Sequence, residues 1–430
     1  MRWDPDAGGD AALLNRSAHH GALAAEAERL LDFFEEPDGV ERFAWRRNDG
    51  EADTTRPLSL YAVARLVHCF SVAQLTGRAQ AGQRAEEGIG LLMGRFAEPD
   101  AVGFAEQVGL RGEKASDRRT AYGHAFALLA GASGVQAGIP GADALLRRAR
   151  EAIDDLFWND DVGAAVEATG RDGAILETYR GQNANMHLAE AFLAAYELDG
   201  DRRWLDRAAR LAQRFVLRTV GEYHARVPEH YTQDWRVDED YGRERPLDPF
   251  RPFGTMPGHA VEWARLLLSI ASHRGGGDRE HEAAGALFAG ALRDGRRDGA
   301  AGLAYTVDFD GEILGDARMH WVVAEALGAA AWLARTTGDD AYAREYDRFW
   351  GDIDSHFVDR RGGSWWHELD ARNVPAAVTW DGKPDLYHAY QATFAARLTR
   401  PSGIALAARS GWIAAASAPT APTTRRESDR

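Results

Sequence analysis

The chain of 430 residues carries 51 Lys plus Arg against 66 Asp plus Glu, a formal charge of −15. That balance excludes a polyphosphate partner, because nucleic-acid binders neutralise phosphates with clustered basic side chains. Apolar residues make up 45% of the chain, enough for a sizeable core, and a lone cysteine, Cys69, excludes a disulfide framework or a multi-cysteine metal site.

The first ten residues, MRWDPDAGGD, lack the basic-then-apolar order of a secretory signal. Residues 125–142 form the longest uncharged stretch, but Ser133, Gln136, Pro140 and several glycines break it, so no membrane span is expected. A soluble cytoplasmic protein is the expectation. Apolar residues at three- and four-residue intervals predict helices over 60–77, 124–132, 186–200, 259–272, 321–338 and 387–398. Gly77, Gly200 and Gly338 stand where helix C-caps belong, and charged segments that begin a second helix follow Gly200 and Gly338. Short alternating pieces at 103–109, 163–168, 302–314 and 362–370 read as rim strands or hairpins, one of them turning at Asp310-Gly311. The class is all-α with small β decorations.

His68, His124, His187, His259, His320 and His388 recur at intervals of 56, 63, 72, 61 and 68 residues, each near or within the first helix of a pair. Such a period holds two helices of about 15–20 residues with their loops. Six helical hairpins must stack to bury their faces, and the recurring histidines favour a closed ring with those side chains pointing to its centre. One domain is therefore expected over 1–400. Residues 401–430 are expected to be a disordered tail, since from Ala416 onward the composition is Ala, Pro, Thr, Ser and Arg.

Three neighbourhoods hold candidate chemistry. In 182–190, His187 and Glu190 share one helical face; in 250–263, Pro257-Gly258 breaks the chain just before His259, with Glu262 one turn on; in 383–391, His388 precedes Gln391 by the same interval. A histidine in a helix's first turn sits near backbone N–H groups that disfavour its charged form, which keeps it available as a base near neutral pH. Two such histidines across a cavity, His259 and His388, make a general acid/base pair. Metal is not expected: the His-x-x-Glu order reverses that of di-iron carboxylate helices, and HExxH is absent. Without a P-loop, a strand-linked GxGxxG or GxSxG, neither a nucleotide cofactor nor serine chemistry is expected. Trp321, Trp365, Trp366, Trp380, Tyr61, Tyr122, Tyr305 and Tyr387 fall at helix starts or rim strands, suited to stack on sugar C–H faces, whereas Trp332 and Trp350 read as core.

Arg56 with Tyr61, Asn185-Met186-His187 with Glu190, the segment FRPFGTMPGHAVEW (250–263), Trp321 with Glu325, GGSWWHELD (362–370) and KPDLYHAYQ (383–391) follow one another in an order that resembles the N-acylglucosamine 2-epimerase superfamily. The resemblance covers roughly residues 15–400 and is strongest to the D-mannose isomerase and sulfoquinovose isomerase branch. It implies a single (α/α)6 barrel and metal-free acid/base isomerisation of a free hexose through a cis-enediolate. By motif, His259 and His388 become the catalytic histidines and Arg56 steadies the oxyanion. His187, Asn185, Glu262, Trp321, Tyr122, Arg251, Glu325 and Asp385 become the substrate-binding set. D-mannose to D-fructose is the leading expectation, because Glu368 would repel a sulfonate if it faced the pocket. The alternatives are a sulfoquinovose isomerase, or a 2-epimerase of the mannose/glucose, N-acylglucosamine or cellobiose type. A sugar-binding protein without activity would be expected to lose one of the two histidines, and an (α/α)6 glycosidase would centre on carboxylic acids instead. Monomer and homodimer both remain open at this level.

Overall fold

The computed structural model describes residues 12–113 and 115–414. In chain order its α-helices are α1 (Ser17–Asp32), α2 (Leu60–Leu75), α3 (Ala81–Leu91), α4 (Ala121–Gln136), α5 (Ala142–Ala152), α6 (Gln182–Asp199), α7 (Arg202–Ala212), α8 (Pro257–Arg274), α9 (Asp278–Gly295), α10 (His320–Thr337), α11 (Asp340–Asp352), α12 (Tyr387–Ala392) and α13 (Ile404–Ser410). The even-numbered helices pack each against the next, α2 on α4 through α10 on α12, and α12 returns to α2, so the inner ring closes. The odd-numbered helices α3 to α11 lie outside it, and α1, from the start of the chain, covers α12 at the seam. This is the expected (α/α)6 barrel.

Burial follows that layering. The inner helix α4 is buried almost all round, as an element walled on both sides must be. The outer helix α7 keeps one buried stripe of Trp204, Leu205, Ala208 and Leu211 and turns Arg202, Arg203, Asp206 and Arg210 outward. Gly200 and Gly338 end their inner helices in the left-handed conformation, with φ of 75° and 72°, as expected; Gly77 stands one residue beyond the cap of α2. No described helix is long and apolar enough to cross a membrane.

The strands are two or three residues long, and they fix the ends of the inner helices. Leu58–Ser59 leads into α2 and pairs antiparallel with Gln107–Val108; Arg119–Thr120 leads into α4 and pairs with Ala168–Thr169. Arg180–Gly181 pairs with His230–Tyr231 before α6, Thr255 bridges to Val307 before α8, and Arg318–Met319 pairs with Glu368–Leu369 before α10. The same rim thus carries five inner-helix N-termini, and the loops that follow the outer helices close around it. Of the expected pieces, 302–314 forms a local hairpin, Thr306–Val307 against Ile313–Gly315 around Gly311, and in 163–168 Ala164–Ala165 pairs locally with Trp158–Asn159.

The C-terminal expectation needs correction. Residues 401–414 are not a loose tail: α13 packs on α2, α4 and α6 with Ile404, Ala405 and Ala407 buried, and Leu398 bridges to Ile413. Glu197, at the far end of α6, accepts from the Gly403 backbone N–H at 2.7 Å and so holds the segment across the barrel's other end. The remainder of that expected tail, 415–430, and the first eleven residues lie outside the described part.

Candidate active site

A cavity opens among the inner-helix N-termini. Tyr61 and Arg65 reach it from α2, Tyr122 from α4, Asn183 and His187 from α6, His259 and Glu262 from α8, His320 and Trp321 from α10, and His388 from α12. Loop residues Phe250, His367, Trp380 and Asp385 complete the wall.

His259 and His388 have matching environments. His259 Nδ1 lies 2.9 Å from Glu229 Oε2, and His388 Nδ1 lies 3.1 Å from Glu325 Oε1. Trp263 Nε1 donates to Gln182 Oε1 at 2.7 Å, which turns the Gln182 amide nitrogen toward Glu229 at 2.7 Å. Glu229 accepts from the Gln182 amide and lies within hydrogen-bond distance of His259 Nδ1, which Gln182 Nε2 also approaches at 2.7 Å; a proton on Nδ1 is the one that Glu229 can accept. The same argument holds for His388, since a carboxylate can only accept. Each ring is left with Nε2 free to exchange a proton. The indole of Trp321 lies beside both, its centroid 5.2 Å from the His259 ring and 6.0 Å from that of His388. It gets there because residue 258 is glycine: a Cβ on Gly258 would stand 2.5 Å from the Trp321 ring.

Asp385 is shared by the basic side chains of the pocket. Its Oδ2 lies 3.3 Å from His320 Nε2, 3.6 Å from Arg65 Nη1 and 3.8 Å from His388 Nε2. Burial alone would raise its carboxyl, but Arg65, His388 and His320 outweigh that and hold it well below the usual range. Burial holds His320 and His367 neutral, the two rings stacking at 3.8 Å. His187 is lowered to about 4, chiefly by burial.

Several expected site residues sit elsewhere. Arg56 is on the outer rim, paired with Asp53 at 3.0 Å and Asp381 at 2.8 Å, and the guanidinium inside the pocket is that of Arg65. Asn185 is wholly buried and spent on structure: it accepts from Ala165 N at 2.8 Å and donates to Gly181 O at 2.8 Å, tying a rim strand to α6. The asparagine facing the cavity is Asn183. Arg251 lies in an outer vestibule, where it grips Glu177 at 2.8 Å. Glu368 turns away from the pocket to accept from the backbone N–H groups of Val378, Thr379 and Trp380, so it repels nothing there. Glu325 supports His388 from one turn below the cavity wall. Of the six recurring histidines, His187, His259, His320 and His388 meet in the pocket. His68, two turns down α2, bonds Ser133 Oγ at 2.7 Å, and His124 accepts from Phe104 N at 3.0 Å outside the ring.

Arg65, Asn183, Glu229 and His367 were not singled out from sequence. Arg65 carried a signal, standing four residues after Tyr61 and hence on its face of α2. Glu229 carried none, since it lies on a rim segment 30 residues before the histidine it supports.

Beneath the pocket Arg265 binds Glu325 at 2.7 Å and Glu190 at 3.1 Å. A second cavity lies on the other side, bounded by Glu190, Arg265, Glu325 and α13. His187, Glu190 and Glu262 bring potential metal-ligand atoms within 4.8 Å of one another, but Arg265 already supplies a positive charge to that group.

The chain belongs to the N-acylglucosamine 2-epimerase family, whose model, described as N-acylglucosamine 2-epimerase (GlcNAc 2-epimerase), matches residues 42–392. It is 42% identical over 382 residues to a D-mannose isomerase of Thermobifida fusca, covering 88% of this chain and 94% of that one. To a D-mannose isomerase of Pseudomonas cannabina pv. alisalensis it is 40% identical over 386 residues, 88% of this chain and 93% of the other. A crystal structure of D-mannose isomerase superposes with a TM-score of 0.82 at 29% identity, covering 90% of this chain and 99% of that one. The protein is a sugar isomerase/epimerase.

Proposed function

We propose that the protein interconverts D-mannose and D-fructose by histidine acid/base catalysis. The observation that carries this is the pair of carboxylate-backed histidines, His259 and His388, which both line the pocket beside the Trp321 indole. One histidine opens the sugar ring by moving a proton between O1 and O5. The other takes the proton from C2 of the open aldose and, after exchange with solvent, returns a proton to C1, while O2 loses a proton and O1 gains one. The intermediate cis-enediolate carries negative charge on oxygen, and Arg65 is the guanidinium in the cavity able to stabilise it. Trp321, Trp380 and Phe250 offer flat faces to sugar C–H groups, and Asn183 Oδ1 is a buried acceptor with no protein partner.

Charge supports a neutral substrate. Arg65 is matched by Asp385, and Arg56 and Arg251 are matched by rim carboxylates, so a sulfonate would meet no uncompensated arginine. With its single buried cysteine the chain suits a cytoplasmic setting. Purified protein should convert mannose to fructose in EDTA, and in D2O should place deuterium at C2 of mannose. Product only with an added divalent ion, or no deuterium in product, would refute the mechanism; sulfoquinovose and glucose run in parallel identify a different substrate. His259→Ala and His388→Ala should each lower kcat on the order of 100-fold or more.

A further inference from the structure

Three carboxylates converge on one guanidinium below the pocket, and they are not equivalent. Glu325 receives Arg265 Nε at 2.7 Å and also His388 Nδ1 at 3.1 Å. Glu190 receives Arg265 Nη2 at 3.1 Å and the Tyr387 hydroxyl. Glu262 has neither support. Its Oε1 is 3.9 Å from Arg265 Nη2 and 3.6 Å from His187 Nδ1, beyond hydrogen-bond reach of both, and both Oε1 and His187 Nδ1 are buried without a partner.

An ionised carboxylate buried without donors, beside two ionised carboxylates, takes up a proton instead. The groups around Glu262 agree. From α6 it meets His187 and Glu190, from α10 Glu325, from α12 Tyr387, from α4 Tyr122, and from α2 Arg65. Arg65 is engaged by Asp385 and donates to the Tyr122 hydroxyl at 2.9 Å, while Arg265 is already shared by two better-placed partners. Burial first, then Glu325, pushes the Glu262 carboxyl well above its ordinary value; Glu190 and Glu325, although buried, are held below theirs chiefly by Arg265.

We propose that Glu262 is a neutral carboxylic acid in the resting enzyme and donates its O–H to a substrate oxygen. Its role toward the sugar rests on the isomerase reading, but its protonation does not. A neutral donor in a dry pocket stabilises charge developing on a sugar oxygen without placing a third anion beside Glu190 and Glu325.

The test is infrared difference spectroscopy of the sugar-free protein at pH 7, wild type minus Glu262→Gln. A protonated-carboxyl C=O stretch, shifted down in D2O and absent from the variant, is the expected result; its absence overturns the proposal. In turnover, Glu262→Gln keeps an N–H donor and should lose about tenfold in kcat/KM, whereas Glu262→Ala should lose about tenfold more. Equal losses in the two variants would overturn the donor role. Wild-type protein that turns over no sugar refutes the isomerase reading instead, and the infrared band, read without sugar, still decides the proton.

Discussion

Residue identity was legible in the sequence where a side chain's chemistry and its helical position coincide. His259, His388 and His187 each stand in the first two turns of an inner helix, which is where the cavity is. The errors are errors of register. Arg56 and Arg65 flank the same Tyr61, but only Arg65 lies on its helical face; Asn183 and Asn185 are two residues apart and so point about 200° apart around α6. A motif read as a string does not make that distinction, whereas the 3.6-residue period does. Arg65→Met should therefore lower kcat on the order of 100-fold, while Arg56→Ala, which removes a rim ion pair, should change kcat/KM by less than about threefold. Steady-state kinetics on mannose separates the two arginines.

Among the elements, the inner helices were legible because an apolar period and a terminal glycine mark them. The outer helices α3, α5, α7 and α11 share a less obvious signature, each passing at its end into a π-turn, Leu92–Phe96, Ile153–Phe157, Gln213–Leu217 and Ile353–Phe357. Such turns have no composition of their own, and only the recurring phenylalanines of 96, 157 and 357 hint at them. Strand pairing was equally hidden, since Thr120 pairs with Ala168 and Met319 with Glu368, about 50 residues away, and two-residue strands leave no alternation to read. Asn185 belongs to this level, as the clamp between Ala165 and the start of α6. Asn185→Ala leaves buried backbone groups unpaired and should destabilise the fold by about 1–3 kcal/mol in chemical denaturation. Asn183→Ala should leave the melting curve in place and raise KM.

The whole molecule is legible in outline from six repeats and a length of 430 residues. Its pH response is not, because burial decides it. His68, His124 and His187 are lowered from 6.5 to about 4, in each case mainly by burial. The folded chain refuses protons there that the unfolded chain accepts, so their contribution to stability is complete above pH 6.5 and is lost as pH falls toward 4. Asp385 and Glu190, held low in the fold, lose theirs in the same direction at more acidic pH, and Glu262, held high, opposes them. Melting temperature should fall steadily from pH 6.5 to 4; a flat profile would show that these histidines are exposed to solvent in solution.

The seam where α12 meets α1 and α2 has a consequence for how the protein is made. During synthesis α2 and α10 emerge with the faces that α12 will cover still bare, and the ring has no last stave until residues 387–392 leave the ribosome. His388 and Asp385 arrive with that stave. A nascent chain can bury five-sixths of its barrel and hold no catalytic site at all, so activity begins only after this last stave has emerged.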